Sequence, residues 1–228
     1  MARIHIFSLL LLVSPLTVWA QPDVAAIVQR IEQQYDAIDT VMLSRPYVTR
    51  SEVQRRGDAP RLEHTHFEPN RPKGERERLV SVDGQNPTAS DIRRFNRRPQ
   101  PDDRDNQPIR LTIPYDALEL TGWEGEQVTF RFTPVLRLDD SINEFGDLFR
   151  GELVWDQSQQ KIREVRMWLT ESFRYRIFQI HRFTVDETFK WVDDVLMRAQ
   201  YHHDIELRNF WLDLSNRITM DFDYSSQP

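Results

Sequence analysis

The sequence predicts a mainly β fold with helices, an α+β chain built on a curved antiparallel sheet that forms an incomplete barrel with a helical lid. Three observations lead there. Residues 128–224 break into runs rich in β-branched and aromatic residues that alternate with period two. One long amphipathic pattern, residues 23–38, precedes them. Six or seven strands with large apolar residues on one face carry more apolar area than one helix covers on a flat sheet, so the sheet must curl around the helix.

Residues 1–20 (MARIHIFSLLLLVSPLTVWA) have the layout of a Sec-type export signal. Arg3 and His5 make a basic start, Ile6 to Val13 an apolar run and Pro15 a breaker. Val18, Trp19 and Ala20 then form a small-residue cleavage pattern before Gln21. The run is too short for a stable helix across a bilayer core of about 30 Å. The expectation is a periplasmic product, with residues 21–228 as a single domain and no integral membrane segment after cleavage.

Asp23 is placed to cap the first helix. Val24, Ile27, Val28, Ile31, Tyr35 and Ile38 form its apolar stripe, and Gln29, Glu32, Gln33 and Asp36 its wet side. Residues 47–55, 61–67 and 75–82 read as polar strands, punctuated by Gly57, Pro60, Pro69, Pro72 and Gly74. Residues 84–88 are a turn, and Thr88 with Asp91 makes a capping box for a short helix over 89–96. Residues 97–108 hold three prolines and almost nothing apolar, and read as a polar Pro-rich loop. Arg93, Arg94, Arg97 and Arg98 read as a solvated charge run, partly neutralised by Asp102, Asp103 and Asp105. Residues 111–120 read as a second short helix.

Strands follow at 128–132, 151–156, 162–169, 173–185, 188–198, 205–214 and 218–224. Turns are expected at 156–160, near Asp186, at His202-His203-Asp204 and at Asn216. One parity carries Phe183, Val185, Phe189 and Trp191, then Val195 and Met197, Ile205, Leu207 and Trp211, and Ile218, Met220, Phe222 and Tyr224. The other carries Arg182, Thr184, Asp186, Asp194, Arg198, Glu206, Arg208, Thr219, Asp221 and Asp223. One face is therefore dry and the other wet. Phe183, Val185, Trp191, Val195, Met197, Trp211, Met220 and Phe222 are the candidate lining of an apolar concave interior, or else its packed core.

Composition narrows the function. The formal charge is −6 for the 228 residues, and loss of Arg3 with the signal makes it about −7. A mildly acidic chain lacks the basic footprint that nucleic acid needs and does not adsorb to anionic lipid by charge alone. The chain has no cysteine, so an exported product has neither disulfides nor a thiol for lipid anchoring. No nucleophile elbow, zinc-helix motif or glycine-rich phosphate loop occurs, and the sequence points to no catalytic residue and no cofactor. Adjacent His202 and His203 point to opposite faces of any strand, which argues against one shared metal ion. His64 and His66 share a face but have no evident second pair, so no metal site is expected. His181, among bulky neighbours, reads as a structural histidine.

The helix DVAAIVQRIEQQYDAI, the polar strands after it, the pair around GELVWDQSQQKIREVRMWL and the long strands to the end resemble the periplasmic lipoprotein-carrier superfamily, the LolA/LolB-like fold. The resemblance lies in layout and covers most of residues 21–228. Residues 57–74 and 97–108 depart from it, and no family site residue transfers to a position here. It implies an exported protein that buries a lipid, an acyl chain or a lipoprotein in an apolar interior. The alternative is an envelope protein-interaction module of the same fold with a filled core and no ligand.

Overall fold

The computed structural model describes residues 23–55, 58–98, 109–138, 141–142, 145–209 and 213–225. The expected export signal, residues 99–108 of the polar loop, and Trp211 lie outside the described residues.

The architecture is mainly β with two helices. Helix α1 (Val24–Met42) is followed by strands β1 (Tyr47–Arg55), β2 (Arg61–Phe67) and β3 (Glu77–Val82), then helix α2 (Ala89–Phe95). The rest is β4 (Ile109–Thr112), β5 (Glu119–Glu124), β6 (Gln127–Phe132), β7 (Val135–Leu138), β8 (Ser141–Ile142), β9 (Phe149–Asp156), β10 (Lys161–Leu169), β11 (Phe173–Tyr175), β12 (Phe178–Val192), β13 (Val195–Arg208) and β14 (Asp213–Asp223). The large antiparallel sheet runs β3-β2-β1-β14-β13-β12-β10-β9-β6-β5, with β11 paired to β12, and β4, β7 and β8 form a separate small sheet. Among the described residues the large sheet does not close, and β3 and β5 are its ends.

Local chemistry explains most elements. Asp23 accepts hydrogen bonds from the amides of Ala25 and Ala26 and starts α1 where expected. Thr88 and Asp91 form the capping box of α2. The Asp156 carboxylate accepts from the Ser158 hydroxyl and the Gln159 amide, which makes the β9–β10 turn.

Five expectations need correction. Residues 111–120 are not a helix: β4 ends at Thr112, a short 3₁₀ turn covers Tyr115–Ala117, and β5 follows. Pro114 lacks an amide hydrogen and biases Ile113 away from helical geometry, which blocks a helix there. No turn occurs near Asp186, which lies inside β12; the reversal is at Asp193-Asp194, both at positive φ (48° and 60°). Two left-handed residues match the twist of a two-residue hairpin. His202-His203-Asp204 lies within β13, and Asn216 lies within β14. Asp186, His202 and Asp204 are polar residues facing outward from continuous strands, and polarity on a wet face does not break a strand. His181 is not buried: it is the exposed extra residue of a bulge between Ile180 and Arg182.

Helix α1 packs on β10 and β13 through Ile27, Ile31, Ile38 and Met42. They join a continuous core containing Phe130, Phe149, Leu153, Trp155 and Ile162. Gly151 leaves room in this core for the Phe132 ring, which a Cβ at that position would meet unless the ring moved. The outer face carries ion pairs instead. Asp204 sits between Arg182 (3.2 Å) and Arg217 (2.9 Å), and Arg166 meets Asp186 at 2.7 Å.

Candidate functional site

The inner face beneath α1 gathers most of the residues expected to line a cavity, but as packed side chains. Phe183, Val185, Met197 and Phe222 are each 8% exposed or less and belong to the one core cluster. Phe183 meets Phe149 edge-on at 5.7 Å, and Phe222 meets Tyr47 edge-on at 5.7 Å. Val195 and Met220 are half-buried at the margin of that cluster. Trp191 is 40% exposed and does not line the interior. It stands two residues before the Asp193 turn, where the hairpin tip leaves the core, and its indole N–H donates to the Gln159 carbonyl at 3.1 Å.

A charged cluster lies within this apolar face. Glu187 sits on the inner parity of β12, between Val185 and Phe189, and is 4% exposed. Arg198 donates to it across 2.7 Å. Alternation alone puts Arg198 on the wet face with Gln200 and His202. A bulge leaves Ala199 unpaired between the Thr188–Gln200 and Phe189–Arg198 pairs, and so turns Arg198 inward. Tyr35 of α1 donates to the second Glu187 oxygen at 3.0 Å, and Asp39 of α1 lies 3.5 Å from the guanidinium. The Tyr224 hydroxyl donates to the Arg198 carbonyl at 2.8 Å.

Burial sets the protonation chemistry here. Desolvation, followed by the neighbouring Glu187 charge, raises the Tyr35 hydroxyl well above its ordinary value. Burial, the largest single influence, opposes the Arg198 charge, but Glu187 together with Tyr35, Tyr201 and Tyr224 outweighs it and the guanidinium ends above its usual value. Glu187 and Arg198 thus form a desolvated ion pair roofed by a neutral phenol. Nearby, His203 faces Phe183 with ring centres 5.3 Å apart. Desolvation pushes its pKa below normal, and its Nε2 is buried without a partner.

Two further contacts bind α1 to the rest of the chain. The Gln34 amide donates to the Gln160 carbonyl at 2.8 Å and accepts from the Ile162 amide at 3.2 Å, replacing a strand partner at the start of β10. Tyr115 donates to Asp36 at 2.7 Å. Chemically this arrangement fixes a helix to a sheet: one η nitrogen of Arg198 meets Glu187, while its Nε is buried without a hydrogen-bond partner.

The histidines weighed above for metal chemistry are held in other contacts. His202 faces out and shares a hydrogen bond with Thr219 at 2.9 Å, His203 faces in, and Asp204 faces out between two arginines. His66 lies 3.6 Å from Glu68, and burial followed by the Arg78 and Arg71 charges lowers its pKa. Comparison with family models, curated proteins and solved structures returned no match.

Proposed function

We propose that this chain is a non-catalytic interaction module, exported to the periplasm, whose sheet curls as an incomplete barrel around its own helix and needs no interior ligand. One observation supports the reading: the apolar inner face of the sheet is packed against the chain's own helix. Ile27, Ile31, Ile38 and Met42 occupy the space an apolar ligand would need, against Phe183, Val185, Met197 and Trp155. Binding then falls to surfaces and sheet edges. Among the described residues β3 and β5 each pair on one side only, and β5 exposes Leu120 and Trp123. Open strand edges with apolar side chains are suited to strand addition by an envelope protein.

A carrier of lipid, acyl chain or lipoprotein is the second reading, and one observation favours it. Helix α1 lies over a continuous apolar face and is fastened there by polar contacts, so a helix displaced as a lid would expose that face to an acyl chain at about 0.8 kcal/mol per CH₂ buried. Native mass spectrometry separates the two. Protein prepared from a periplasmic extract, then mixed with phospholipid and a lipopeptide, should show only the mass of the chain. A retained acyl-bearing adduct lost on Ile31→Ser substitution would overturn the filled-core reading in favour of the carrier.

A further inference from the structure

The arginines of α2 and β1 form a site that owes nothing to the state of α1. Helix α2 is anchored by Phe95, which is buried, and by two ion pairs. Arg61 donates to Asp91 at 2.6 Å. Arg98 donates both η nitrogens to Glu63, at 2.6 and 2.9 Å, and Glu63 is almost fully buried. Thr88 and Arg61 together hold the Asp91 carboxyl well below the usual range. Both ends of the helix are thereby fixed in place.

These contacts use up Arg61 and Arg98 and leave four other guanidiniums uncompensated. Arg55, Arg93, Arg94 and Arg97, with Ser90 and Arg98, line an open cleft of about 480 Å³. Among the described residues no carboxylate lies within ion-pair distance of Arg55, Arg93, Arg94 or Arg97. An adjoining recess shares Arg55, Arg94 and Arg98 with the cleft and holds Asp58 and Glu63. The chain as a whole is acidic, at −6, so this concentration of positive charge is local.

Arginine is charged at every physiological pH, and its planar fork matches two oxygens of a phosphate. Four guanidiniums around one opening, without a carboxylate partner among the described residues, repel each other, and an anion bridging them relieves that repulsion. Among the described residues the lining holds no aromatic or aliphatic side chain. That disfavours a nucleobase, which needs a stacking surface, and an acyl chain, which needs an apolar one. The volume falls in the range of small-molecule sites. A single carboxylate or monophosphate would leave most of the four charges unmatched.

We propose that this cleft binds a compact polyanion bearing two or more phosphate groups. The phosphates lie between Arg93, Arg94 and Arg97 on one side and Arg55 on the other, and the Ser90 hydroxyl is available to donate to a phosphate oxygen.

Calorimetric titration of the full chain with tripolyphosphate tests this. Binding should weaken by about tenfold or more in the Arg93→Gln/Arg94→Gln/Arg97→Gln variant, in keeping with the loss of charge-assisted contacts. It should also weaken as salt rises, and stay unchanged in Arg163→Gln, an exposed arginine of β10 away from the cleft. A thermal melt of each variant confirms folding, since the substituted side chains are exposed. Sedimentation with phosphatidylcholine vesicles, with or without cardiolipin, whose headgroup carries two phosphates, locates the source of the phosphate. Arginine-dependent sedimentation with the anionic vesicles, competed by tripolyphosphate, places it on a lipid headgroup; tripolyphosphate binding without sedimentation places it on a soluble ligand. The proposal is overturned if the triple variant binds tripolyphosphate as the parent does, or if the parent does not bind it. It is equally overturned if binding appears only in Asp102→Asn/Asp103→Asn/Asp105→Asn, which would mean that the chain's own acids fill the cleft.

Discussion

Arginine is used in opposite ways at two places in this molecule. Arg198 is largely enclosed beneath α1, paired with Glu187 at 2.7 Å and close to Asp39. Arg93, Arg94 and Arg97 stand exposed on α2 and just beyond it, without a carboxylate partner among the described residues. The difference follows from solvation. A desolvated guanidinium needs an anion built into the fold, whereas an exposed one is held by water and stays available for an anion from outside. The first arrangement gives a fixed interior and the second a surface with unused charge.

Breaking the buried pair should have the largest effect. Arg198→Met or Glu187→Met alone should cost about 3–5 kcal/mol in chemical denaturation, because each leaves a buried charge unmatched. The double methionine variant should recover most of that loss. Single variants costing under about 1 kcal/mol would show that water reaches the pair in solution.

Packing changes in the same region come next. Ile31→Ala removes a fully buried side chain at the centre of the helix–sheet contact and should cost about 2–5 kcal/mol. Gly151→Ala forces a methyl against the Phe132 ring and should cost about 1–3 kcal/mol. A smaller Gly151→Ala effect would mean that Phe132 has room to turn.

A pH effect of smaller size belongs to the inner face. Desolvation keeps the folded pKa of His203 below its ordinary value, so the unfolded chain binds the proton more readily. The stability linked to His203 is complete above a pH of about 6.5, the unfolded pKa, and declines as pH falls through the folded value. His203→Phe should flatten the fall in denaturation midpoint between about pH 7 and pH 5. The smallest stability effect should come from the cleft: Arg93→Gln/Arg94→Gln/Arg97→Gln should shift unfolding by no more than about 0.5 kcal/mol while weakening tripolyphosphate binding about tenfold or more.

Legibility in the sequence followed the same division between regular pattern and local exception. Asp23 and Thr88 with Asp91 announced their helices because capping is a local hydrogen-bond pattern. Strands β1 and β2 were readable to the residue from their alternation and the Gly and Pro around them. Phe183, Val185 and Phe222 were assigned to the dry face, where they lie. Arg198 was assigned to the wet face because a one-residue bulge inverts parity without a sequence mark. Glu187 had a readable signal, a carboxylate on the apolar parity between Val185 and Phe189, but its partner was hidden by the same bulge. The cleft arginines were visible as a run; their lack of partners depends on Glu63 and Asp91 pairing with Arg98 and Arg61 instead, and that is a matter of tertiary contact.

The central claim is that α1 is part of the core and not a detachable cover. Native-state hydrogen exchange of the amides of Ile31 through Ile38, compared with those of β9 and β10, tests it most directly. The account predicts that α1 exchanges only through global unfolding, with the same protection as Leu153 and Val165. Exchange of the helix through a separate opening, at much lower free energy than the strands, would contradict it and make α1 a lid.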